Sequence, residues 1–185
     1  VSGIEHPSVL QCARHQAASG RMVRVIPVNS SGVIDLEAAV DLIARTMPHP
    51  ALASVMAANN ETGVIQPIEQ LAEICHDAGV PLHVDATQTV GRLAVDFCKL
   101  GIAALTASAH KFHGPAGIGL LLVRSGVKVR PLMHGGEQQL GNRPGTEAVA
   151  LAVAMAAALQ IASQSREQTQ ELMNACRGHL ESTLR

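Results

Sequence analysis

The sequence contains no tryptophan, no tyrosine and only two phenylalanines. With so few aromatic side chains there is no platform on which unstacked bases could lie, so single-stranded nucleic acid is not an expected partner. Basic runs are also missing, and a formal net charge of −1 leaves no footprint for nucleic acid or an anionic membrane. The longest uninterrupted apolar run, Ala148 to Leu159, is too short and too alanine-rich to span a bilayer. No signal peptide is read at the start, and Val1-Ser2-Gly3, with no initiator methionine, reads as the middle of a longer polypeptide. None of the four cysteines forms a C-x-x-C pair, and three fall on expected helices. They read as small buried or half-buried thiols of a reducing compartment, which makes the cytoplasm the expected location. The partners left by these absences are small molecules and other proteins.

What is present is enough for a real core: 185 residues, 47% of them hydrophobic. Val1 to Ile4 reads as the end of a strand. Pro7 suits a first helical position, with Val9, Leu10, Ala13 and Ala17 at helical spacing before Gly20. Met22 to Val28 alternates like a strand. Asp35 is placed to cap a helix carrying Leu36, Ala39, Val40 and Ile43 on one stripe. Pro48-His49-Pro50 breaks that helix, and Ala51 to Ala57 reads as a buried strand that ends in Asn59-Asn60. Pro67 opens a helix with Ile68, Leu71, Ala72 and Cys75 on one face. Two further strands, Val80 to Val84 and Ile102 to Ala107, deliver Asp85 and then Ser108-Ala109-His110-Lys111. A last strand spans Ile118 to Val123.

A polar loop, His134 to Thr146, leads into a helix that is apolar nearly all round and therefore expected to be buried. Strands alternating with helices in this way predict an α/β three-layer sandwich, a mostly parallel sheet with helices on both faces.

Laid side by side, those strands gather His6, Asn60, Asp85, Gln88, Ser108, His110 and Lys111 along the sheet edge where open α/β folds bind ligands. The set has no second carboxylate for glycosidase-type acid and base work. There is no G-x-G-x-x-G turn for a dinucleotide and no P-loop for a nucleotide. His110-x-x-His113 has no thiolate or carboxylate at matching spacing, so no metal site is expected. Pyridoxal 5'-phosphate uses the whole set. It needs a lysine for a Schiff base and a carboxylate to keep its pyridine nitrogen protonated. Here these are Lys111 and Asp85. Ser108 and His110 suit the phosphate, Asn60 and Gln88 the phenolic oxygen, and His6 the ring face. A Lys111–Asp85 salt bridge is the competing structural account of the same two charges.

His83-Val84-Asp85-Ala86-Thr87-Gln88 followed by Ser108-Ala109-His110-Lys111 resembles the cysteine desulfurases of the class V aminotransferase superfamily. Glu5-His6, Asn59-Asn60-Glu61-Thr62-Gly63 and Arg143-Pro144-Gly145-Thr146-Glu147 carry the resemblance along nearly the whole chain. Selenocysteine lyases share these motifs. The resemblance implies fold type I, a homodimer and a possible sulfur-acceptor protein, with L-cysteine or a related amino acid as substrate. Lys111 would hold the cofactor covalently and act with His6 in catalysis. Asp85, Gln88, Asn60, His6, Ser108 and His110 would bind the cofactor. Thr146 would reach the partner subunit's phosphate, and Asn60 and Arg143 would line the substrate pocket.

The same resemblance implies that a loop cysteine, a phosphate-binding segment and a substrate-binding arginine lie outside this chain. Residues 1–165 are then expected to form the cofactor-binding large domain, truncated at its N-terminal side. Residues 166–185 would be a helix leading toward a small domain, and the fragment alone would be inactive. Other class V aminotransferases or lyases, and a sulfur-assembly partner that has lost catalysis, are the alternative readings.

Overall fold

A computed structural model describes residues 1–184. Four strands form one sheet in the order β1 (Ala53–Met56), β2 (Leu82–Asp85), β3 (Ala104–Ser108) and β4 (Gly119–Val123). The first three run parallel, and β4 is antiparallel to β3. The sheet is thus mixed but mostly parallel and is flanked by helices, as the alternating pattern predicts.

The pleat divides the sheet chemically. One face carries Val55, Val84, Leu105 and Ala107, all nearly inaccessible. The other carries Ser54, His83, Asp85, Thr106 and Ser108. Two apolar cavities of about 250 Å³ each border the apolar face, one beside Ile68 and the other beside Leu159 and Arg166.

Five α-helices accompany the sheet: α1 (Pro7–Ala18), α2 (Leu36–Val40), α3 (Ile68–Asp77), α4 (Val149–Gln164) and α5 (Arg166–Thr183). Asp35 caps α2 as its position predicts, accepting from the amides of Glu37 and Ala38 at 3.0 Å each. The helix then loosens into one π turn, Asp41–Arg45. α3 buries Ile68, Leu71, Ala72 and Cys75, the stripe its spacing sets out.

Three expectations fail. Met22 to Val28 is extended, but among the described residues its strand-type pairings are isolated bridges, Ser2 with Ile26 and Val28 with Ile34. Pro27 has no amide proton to give a ladder there. The apolar α4 buries only Met155, while Val149, Val153 and Ile161 stand more than 60% exposed. Its hydrophobicity exceeds the surface this chain supplies to cover it. Of the cysteines only Cys75 is buried; Cys12, Cys98 and Cys176 are exposed. Among the described residues no single helix is long and apolar enough to cross a membrane.

Candidate functional site at the carboxyl ends of the parallel strands

Strand order brings three sequence-distant segments to one edge. Asn60 follows β1, Asp85 ends β2, and the Ser108–Lys111 tetrapeptide leaves β3. The parallel register sets Met56 against Asp85 and Asp85 against Thr106. After Ser108 the backbone closes into a 3₁₀ turn, Ala109–Phe112, ended by His113 in the left-handed region at φ 65°. That turn buries Ala109 and Phe112 and leaves Lys111 half-buried and His110 exposed.

Asp85 is 9% exposed. Its Oδ1 accepts from the Thr87 amide at 3.0 Å. Among the described residues neither Asp85 nor Lys111 is part of an ion pair, so the salt bridge that competed with a cofactor does not form. The Ser108 hydroxyl and the His110 ring likewise make no hydrogen bond among the described residues. A buried acid, an unpaired amine and an unengaged hydroxyl and imidazole fit the polar ends of pyridoxal phosphate.

The remaining candidates divide. Gln88 Oε1 accepts from the Arg92 guanidinium at 3.2 Å, and the same guanidinium donates to the Lys111 carbonyl at 3.2 Å. Arg92 thereby ties the Gln88 amide to the lysine turn, a link with no local sequence signal. His6 is exposed and caps α1, its Nδ1 accepting from the Ser8 amide at 3.2 Å. Asn60 is exposed, and its side chain makes no hydrogen bond among the described residues. Its neighbour Asn59 builds the turn instead, accepting from the Glu61 and Thr62 amides at 2.9 Å while Gly63 closes it at φ 72°. Asn59 Nδ2 also donates to the Ile4 carbonyl at 3.0 Å, tying the N-terminal segment to β1. Arg143 folds back on the Pro144 carbonyl, and Thr146 is exposed. No hydrogen bond or ion pair among the described residues joins either to Asp85 or Lys111.

Two titratable groups around Asp85 carry no role in the sequence reading. His83 bridges the strands, with Nδ1 2.8 Å from the Ser54 hydroxyl and Nε2 3.0 Å from the Thr106 hydroxyl. Burial lowers the pKa of this ring, and the Asp85 charge offsets part of the effect. Glu5 is 4% exposed, and burial pushes its carboxyl above the ordinary range.

The whole chain, residues 1–185, matches the class-V aminotransferase family. It is similar to the cysteine desulfurase NifS of Azotobacter vinelandii, 40% identical over 179 residues that make up 97% of this chain and 44% of that protein. Among solved structures it is similar to a NifS-like protein, with TM-score 0.93 and 40% identity over 98% of this chain and 49% of that one. SspA in complex with cysteine matches with TM-score 0.82 and 33% identity, over 94% of this chain and 51% of that one. The chain thus spans about half, or less, of the length of these relatives.

Proposed function

Because the chain belongs to the class-V aminotransferase family, we propose that it is the cofactor-binding part of a pyridoxal-phosphate-dependent cysteine desulfurase. One observation carries the proposal. Asp85 and Lys111 emerge at the carboxyl ends of adjacent parallel strands, the acid buried and the amine unpaired. Similarity to a cysteine desulfurase and to a structure in complex with cysteine supports L-cysteine as the substrate.

When bound, pyridoxal phosphate supplies an electron sink for carbanion chemistry at the α-carbon of an amino acid. Asp85, which accepts from the Thr87 amide, would hold the pyridine nitrogen. Lys111 Nζ would hold the cofactor covalently and would be the base that takes the α-proton of a bound amino acid. Ser108 Oγ and His110 bind the phosphate, Gln88 and Asn60 the phenolic oxygen side, and His6 covers the ring and helps move protons. Arg143 and Asn60 contact the substrate, and Thr146 serves the partner subunit's phosphate.

Residues 1–165 form the large domain in this reading and residues 166–185 a helix leading from it. The exposed apolar side chains of α4 support a homodimer, and the cytoplasm is its location. The products are alanine and a sulfur atom passed to a protein thiol and then to an acceptor protein.

The test is amino-acid analysis of the full protein incubated with pyridoxal phosphate and either L-cysteine or L-selenocysteine. Alanine released from cysteine at the higher kcat/KM supports the reading. Alanine from selenocysteine alone, or transamination of other amino acids, contradicts it.

A further inference from the structure

Glu5 ends the N-terminal segment that runs along the outer edge of β1. Its Oε1 accepts from the Met56 amide at 2.8 Å and from the Ser2 hydroxyl. Met56 is the residue registered against Asp85. Glu5 Oε2 is the sole buried side-chain polar atom without a hydrogen-bond partner among the described residues. A negative charge on that carboxylate would face no donor at Oε2. Burial and a nearby like charge both favour the protonated form of such a carboxyl group.

Resting on the cofactor site proposed above, we propose that Glu5 is a positioning residue acting as a neutral carboxylic acid. It clamps the turn bearing His6 to β1 without adding a second buried negative charge near Asp85. The groups around Glu5 agree. Burial favours its neutral form, and the Asp85 charge from β2 adds to this; the Ser2 hydroxyl and the Met56 amide from β1 oppose it. His83, also on β2, feels Asp85, and the His6 ring turns away toward Ser8.

An acid with a raised folded pKa loses stability as pH rises from its unfolded value through its folded one. The experiment compares Glu5→Gln and Glu5→Leu with the unaltered full chain. It follows thermal unfolding without cofactor from pH 4 to 9, and then the pH dependence of the visible absorption of added pyridoxal phosphate. Gln keeps both the acceptor at Oε1 and a donor at the second position. It is expected to remove the loss of stability with rising pH and to hold cofactor affinity within about twofold. Leu should weaken cofactor binding about tenfold and shift the absorption titration. Overturning results are an unchanged pH profile in Glu5→Gln, or a Gln variant as poor in cofactor binding as Leu. Absence of cofactor binding by the unaltered chain overturns the cofactor site and the positioning role with it, while the pH profile still decides the protonation of Glu5.

Discussion

His83 Nε2 lies 3.0 Å from the hydroxyl of Thr106 on the neighbouring strand, in the middle of the polar sheet face. With Nδ1 turned to Ser54, the ring spans three strands and both nitrogens are satisfied by hydroxyls that can donate or accept. The neutral ring fits either tautomer, so protonation forces one hydroxyl to become an acceptor.

The pH consequence follows from a lowered folded pKa. The unfolded chain binds the proton first, so stability is lost as pH falls below the ordinary histidine value of 6.5 and regained above it. Thermal unfolding between pH 5 and 8 should show this acid-side loss, and His83→Gln should remove it. Replacing the ring by Leu orphans both hydroxyls and should cost about 1–3 kcal/mol at neutral pH.

Gly91 packs against the lysine turn from outside the sheet. Its φ is 79°, and a Cβ there would stand 2.5 Å from Phe112 Cβ. Phe112 is buried and follows Lys111 directly. Gly91→Ala should therefore cost at least about 2 kcal/mol and displace the Lys111 turn. Urea unfolding reads the first effect, and titration with pyridoxal phosphate reads the second.

Thiol chemistry should separate the cysteines. Burial pushes the Cys75 thiol to about 11, whereas Cys12, Cys98 and Cys176 are exposed. In the native chain at pH 8 a maleimide should label those three and spare Cys75 until denaturant is added, as mass spectrometry of the peptides can verify.

Much of this organisation is legible in the sequence because it is local. Asp35 beside an apolar stripe announces a capped helix, and the runs before Asp85 and Lys111 announce strands that end in chemistry. What stays hidden depends on partners far along the chain. Glu5 meets Met56 across 51 residues, and Gln66, from the loop before α3, accepts through Oε1 from the Ile34 amide across 32. Asn59 rather than Asn60 builds the turn, a choice that adjacent identical residues do not reveal. The fate of α4 is hidden for a different reason. An apolar pattern records that a helix wants cover, and it is silent on whether the same chain provides it.

The account rests on Lys111 as the amine that holds pyridoxal phosphate, with Asp85 answering the ring from the adjacent strand. Borohydride reduction of the protein with pyridoxal phosphate, followed by peptide mapping, tests this most directly. The predicted result is a pyridoxyl group on Lys111, absent in Lys111→Ala and still present in Asp85→Ala, whose α-proton exchange with bound amino acid falls at least about 100-fold. A label on another lysine, or none on the unaltered full-length protein, would contradict the account.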